Sequence, residues 1–292
     1  MDNWDEIRTA YQVARMGTVS GAAGMLGVHH ATVIRHIDAL EGRLGVRLFQ
    51  RHARGYTATE AGKDLLQVAQ ATDDQFTQLA GRIRGQGEGV SGELLVTSLV
   101  GLSPMLTPVL ASFQRENPGL IVRYLTGDRL FRLEYGEAHV AIRAGAAPEE
   151  PDNVVQPFHR QTMQLVASQS YISQHGIPAT DADLQDHWFV GHDDIDSRAP
   201  FSRWLRAHVT PDRIVFRTMD NRSMRDAIVA GAGIGFLPVW EVKGHPDLRE
   251  VLPAQDEWSG PLWLVTHVDL HRSPKVQAFL DHLKESAKDW AT

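Results

Sequence analysis

The sequence predicts an α/β chain that begins with a small all-helical head, and three observations carry that expectation. Three helical runs end at Gly17, Gly27 and Gly45. Four glycines, Gly85, Gly87, Gly89 and Gly92, then mark a joint, and beyond them short apolar runs alternate with helical ones. In the first run Trp4, Ile7, Ala10, Tyr11 and Ala14 recur at helical spacing up to Gly17, a fit C-cap. Ser20 can cap a short second helix over 21–26, which Gly27 stops. Val33, Ile37, Leu40 and Leu44 place a third helix over about 30–44. Positions 46–49 and 56–58 read as two short strands joined by a basic turn, the hairpin of a wing.

Thr59 is a good N-cap for a long helix in which Leu65, Ala69, Thr72, Phe76, Leu79 and Ile83 step along one seam. Such a stripe seeks a partner helix in a homodimer, and a helix packing on its own domain gives a similar one. The expected division is therefore a winged helix-turn-helix over 1–58, a linker and dimerisation helix with its hinge over 59–89, and an α/β unit over 90–292. In the last, strands are expected at 94–97, 121–125, 140–142, 164–167, 188–190, 214–216, 234–237 and 262–266. Helices are expected from Ser103-Pro104, over 223–230, and from Ser273-Pro274 through Val276, Phe279, Leu280 and Leu283.

Composition narrows the function classes. With 42% hydrophobic and 22% charged residues in 292, the chain can bury sizeable cores, so disorder is excluded. The absence of cysteine excludes disulfides, thiolate metal sites and a cysteine nucleophile. The acidic start, Met1-Asp2-Asn3-Trp4-Asp5-Glu6, is not a secretory signal, and the weakly polar stretch 227–240 is too short to cross a bilayer, so a cytoplasmic protein off the membrane is expected. The net charge of −7 lies wholly beyond Val90, because ten cations balance ten anions before it. Between His29 and Lys63 six cations face three anions, with His29, His30, His36 and His52 interspersed, a basic patch on an acidic molecule.

A glycine turn between two helices, followed by a basic wing, is a layout in which the later helix enters the major groove of double-stranded DNA. Arg35 can grip guanine or a phosphate, Thr32 or Val33 can meet a thymine methyl, and Arg51 and Arg54 suit phosphates or a narrow minor groove. Ser20, His29, His30 and His36 complete the candidate contact set. The histidines read as neutral polar residues, with no metal expected. The run Gly231-Ala232-Gly233-Ile234-Gly235 lacks dinucleotide-binding spacing and reads as a cap and turn, and His192 through Asp196 reads as a solvated loop. No HExxH, GxSxG or Walker motif appears, so no enzyme activity and no cofactor is expected.

The residues Gly17-Thr18-Val19-Ser20-Gly21-Ala22-Ala23, Leu26-Gly27-Val28, Ala39-Leu40-Glu41, Leu44-Gly45, Leu48-Phe49-Gln50-Arg51 and Thr59-Glu60-Ala61-Gly62 resemble the LysR-type transcriptional regulators. Looser similarity continues through Ala138 to Arg143, Tyr171 to Pro178, and Ala230 to Pro238. Where many members read Ser-Gln-Pro-Thr-Val-Ser-Arg, this sequence has His29-His30-Ala31-Thr32-Val33-Ile34-Arg35, so the family's operator preference does not transfer. The resemblance implies a two-subdomain effector unit of periplasmic-binding type, with subdomain I at about 93–161 and 267–292 and subdomain II at about 162–266. It implies a small-molecule effector in the cleft, homodimers pairing into tetramers, and RNA polymerase as a further partner. Ser98, Leu99, Val100, Thr126 and Arg143 are the expected contacts from one subdomain, His192 and Asn221 from the other. A carboxylate-bearing effector fits Arg143, which can equally make a structural ion pair. The rival reading is a small-molecule-binding protein or enzyme whose helices serve only association.

Overall fold

The computed structural model describes residues 3–52, 55–83, 90–127, 129–194 and 196–290. The head contains α1 (Trp4–Met16), α2 (Val19–Leu26) and α3 (His30–Leu44), each ended by a left-handed glycine, with φ of 69°, 65° and 70°. Ser20 does not cap α2. Thr18 sits extended before the helix and its hydroxyl accepts from Gly21 N–H at 3.1 Å, leaving Ser20 inside the first turn. Ala10, Val13, Ala22, Val33, Ile37 and Leu40 meet in one buried core.

The wing pairs β1 (Phe49–His52) antiparallel with β2 (Gly55–Ala58). Its first strand starts three residues later than the apolar run suggests. The Glu41 carboxylate takes the amides of Leu48 and Phe49 at 2.9 and 3.1 Å, anchoring the approach to the hairpin on α3. Gly55, at φ 144°, brings β2 against the α1–α2 turn, where Tyr56 N–H donates to Gly17 C=O at 2.8 Å. A Cβ at 55 would run into that same oxygen. Thr59 then opens α4 (Glu60–Ile83), its hydroxyl accepting from Gly62 N–H at 3.2 Å and donating to Arg47 C=O at 2.7 Å.

Past the joint come β3 (Gly92–Ser98), α5 (Ser103–Glu116), β4 (Leu120–Thr126), β5 (Val140–Ala144) and β6 (Asn153–Gln161). Then follow β7 (Met163–Ser168), α6 (Gln169–His175), β8 (Phe189–His192), α7 (Pro200–His208), β9 (Ile214–Thr218) and α8 (Asn221–Val229). The chain continues through β10 (Gly235–Pro238), α9 (Val239–Lys243), β11 (Leu248–Leu252), β12 (Gly260–His267), α10 (Val268–His271) and α11 (Pro274–Ser286).

One sheet runs β4-β3-β5-β12-β6, with β3 parallel to β4 and β5, and β12 antiparallel to β5 and β6. Period-two alternation sends Leu94 and Val96 toward α5 and α11, and Leu95 toward Leu133 and Val265 on the other face. In the second lobe β7 lies antiparallel between β10 and β11, and the parallel pair β8-β9 joins through a bridge from Phe189 to Ile234. An aromatic core fills it: Trp258 lies 5.2 Å from Trp204 and 4.9 Å from Phe236, ring centre to ring centre.

The sheet order corrects one expected boundary. Residues 260–266 belong to the first sheet, since β12 is hydrogen-bonded on both sides within it, so the chain returns from the second lobe before Gly260. The two crossings, at Thr162 and Ser259, lie together with their hydroxyls 3.5 Å apart. Strands β6 and β11 and helices α6, α7, α9 and α10 escaped the sequence reading, and among the described residues no helix is long and apolar enough to cross a membrane.

Candidate nucleic-acid interface and effector recess

Helix α3 has two opposed faces. At about 100° per residue, Val33, Ile37 and Leu40 fall on one side and are wholly buried. His30, Ala31, Ile34, Arg35 and Asp38 occupy the opposite arc of about 140° and are exposed. Of the expected DNA contacts this face holds His30 and Arg35, with His29 just before it as an N-cap residue whose side chain caps nothing. Ser20 is exposed on α2. Two expectations are corrected. Val33 faces the core and cannot reach a base. His36 turns toward α1, where its Nδ1 lies 2.9 Å from the Thr9 hydroxyl. Thr32 is half-buried at the rim.

In the wing Arg51, expected to suit phosphates or a narrow minor groove, is engaged by protein partners. It donates to Asp38 at 2.5 Å and Glu41 at 3.0 Å, and its guanidinium lies 5.4 Å from the Tyr56 ring centre. Arg54 lies outside the described residues. The unforeseen residue is Glu41, whose side chain is 3% exposed yet charged. Burial pushes its carboxyl up, but hydrogen bonds from Arg47 at 2.6 Å, from two backbone amides and from Arg51 outweigh that and hold it below the usual carboxylate range. The sequence signal was its place four residues after Ile37 and eight after Val33, on the core face.

The α4 seam divides likewise. Leu65 and Ala69 pack into the head's own core, so these two expected dimer contacts are intramolecular. Thr72 returns its hydroxyl to Val68 C=O at 2.9 Å. Phe76, 55% exposed, meets Trp4 of α1, 60% exposed, edge to face at 6.0 Å beside a groove of about 220 Å³. The side chains of Leu79 and Ile83 lie outside the described part.

At the carboxyl ends of β3 and β5 a recess of about 250 Å³ is lined by Ser98, Leu99 and Arg143 together with Thr97, Arg129, Phe131 and Glu150. The Ser98 hydroxyl lies 2.6 Å from that of Tyr124. Arg143 donates to Phe131 C=O at 3.1 Å and pairs with Glu150 at 3.5 Å. A hydrogen bond from its own backbone amide, then the charge of Arg143, keep the Glu150 carboxyl below its ordinary range despite partial burial. Val100, Thr126, His192 and Asn221 do not line this recess. Asn221, first in α8, instead faces the turn after β3, where a Cβ on Gly101 would sit 3.2 Å from its Nδ2. His192 Nδ1 accepts from its own loop, Asp194 N–H, at 3.0 Å.

Residues 4–63 match the family described as "Bacterial regulatory helix-turn-helix protein, lysR family", and residues 87–288 match "LysR substrate binding domain". The transcriptional regulator IlvY of Escherichia coli is 27% identical over 250 residues, covering 83% of this chain and 84% of that protein. CrgA of Neisseria meningitidis is 25% identical over 294 residues, covering 97% and 96%. Among solved structures, CrgA superposes with a TM-score of 0.59 at 23% identity over 98% of this chain and 99% of that one. Full-length LysG of Corynebacterium glutamicum, with the effector Arg bound, gives 0.68 at 17% identity over 98% of each.

A helix-turn-helix head carried on a two-lobed α/β sensor defines a one-component regulator of transcription. The chain belongs to the LysR family of transcriptional regulators, with a DNA-binding head and an effector-binding module.

Proposed function

We propose that this chain grips paired operator half-sites with the outer face of α3, His30 and Arg35 foremost, with His29 and Ser20 beside it, and that a small molecule bound at the recess alters the spacing of the two heads. The observation that supports this most is the opposition of faces on α3: one is wholly buried, while the other presents side chains able to reach a major groove. Arg54 enters on sequence grounds alone. Family membership and the lack of any motif for bond-making or bond-breaking both favour a protein that acts by binding and carries out no reaction of its own in the cytoplasm.

The recess combines a mostly apolar wall with the guanidinium of Arg143, which suits a compact molecule carrying one carboxylate that takes the place of Glu150. Paired heads require a homodimer. Trp4 and Phe76 offer an exposed aromatic surface for it, and dimers of such dimers would suit adjacent half-sites, with RNA polymerase a further partner.

The test is a gel shift of the full chain on the intergenic DNA upstream of its own coding sequence, titrated with salt. Specific retardation should fall steeply as salt rises, and Arg35→Ala should weaken it by about tenfold or more. No retardation even at low salt would overturn the reading in favour of a ligand-binding protein that uses its helices for association alone.

A further inference from the structure

Val33 is the apolar side chain that the sequence offers for a thymine methyl, and it is wholly buried. The next residue is not. Ile34 is 38% exposed, lies one turn after His30 and beside Arg35, and takes no part in the buried core to which Val33 and Ile37 belong. In a helix a β-branched side chain is nearly fixed at χ1, so Ile34 presents one rigid methyl surface outward. Beside it the carboxylate of Asp38, which would repel phosphates, is neutralised by Arg51 at 2.5 Å. The face is thus a branched hydrocarbon flanked by groups that bind anions and guanines.

Thymine is the base that displays a methyl group in the major groove. The geometry points to Ile34 as a further specificity-determining contact of α3, packing on the C5-methyl of a thymine next to the base that Arg35 engages. This inference rests on the DNA-reading function proposed above. Covering one methyl-sized group corresponds to about fourfold in affinity for each half-site.

The experiment starts from a duplex that the full-length chain selects out of a randomised library, amplified once with thymine and once with deoxyuridine, which lacks only the methyl. Wild type should bind the thymine duplex about fourfold more tightly per half-site. Ile34→Ala and Ile34→Ser should bind the thymine duplex correspondingly more weakly and lose the distinction, with unchanged unfolding midpoint and oligomeric state. Equal wild-type affinity for the two duplexes, or an undiminished ratio in both variants, overturns the inference while leaving DNA reading intact. An altered oligomeric state in the variants assigns Ile34 to a protein interface and also overturns it. Failure of wild type to retain any duplex at low salt overturns the DNA-reading function itself.

Discussion

Glu41 shows how one buried charge sets the geometry of a reading head. Its carboxylate joins the amides that lead into the wing to the guanidinium groups of Arg47 and Arg51, and through Arg51 reaches Asp38 on the outer face of α3. Glu41→Ala strands two amides and leaves Arg51 without one of its partners, so denaturant unfolding should show a loss of about 2–4 kcal/mol. Because the folded carboxyl titrates below its unfolded value, its stabilisation is complete above an unfolded pKa of about 4.3 and is lost as pH falls through the lower folded value. Wild type should therefore lose stability on acidification more steeply than Glu41→Gln, and parallel pH profiles would remove Glu41 from this role. Val33 and Arg35 form a complementary pair. Val33→Ala should lower stability by about 2 kcal/mol while the folded fraction binds DNA normally, whereas Arg35→Ala should do the reverse.

The helices of the head were legible because glycine stops and apolar spacing are local properties: α1 and α3 end where Gly17 and Gly45 take left-handed conformations. What escaped depended on distant partners. The run 262–266 was recognisable as a strand, yet no local pattern says that β12 inserts between β5 and β6. In β6, the intermediate burial of Asn153 through Gln156 leaves no clean alternation to detect. Of the residues named from strand ends, Ser98, Leu99 and Arg143 share one recess, while His192 and Asn221 lie elsewhere because loop paths do not follow from strand order. The α4 seam was ambiguous for a related reason, since a heptad stripe does not say which neighbour covers it. Leu65 and Ala69 serve the head's core, leaving Trp4 and Phe76 outward. If that pair mediates association, Trp4→Ala with Phe76→Ala should raise the dimer dissociation constant at least tenfold in sedimentation equilibrium and leave the head's unfolding unchanged. An unaltered constant would place the interface elsewhere.

Head and sensor also touch within one chain, and they do so through polar groups. Arg15 at the end of α1 pairs with Glu93 of β3 at 2.8 Å, and Glu93 is shared with Arg123 at 3.4 Å. The Gln67 amide on α4 donates to Asp269 at 2.9 Å and lies 3.2 Å from the ring of His267. The Arg15 and Glu93 side chains are each about a third exposed, so the pair contributes well under 1 kcal/mol after solvent screening. A contact so weak is suited to being exchanged when an effector changes the sensor, because a small difference in binding energy between two arrangements suffices to shift their balance. It should also yield to ionic strength. Raising salt from about 0.01 to about 1 M shortens the Debye length from about 30 to about 3 Å. In small-angle scattering the maximum dimension of the wild-type particle should then increase, and Arg15→Ala should show the longer dimension already at low salt. Identical scattering at both salt concentrations and in the variant would mean that packing, and not this ion pair, holds the head against its sensor.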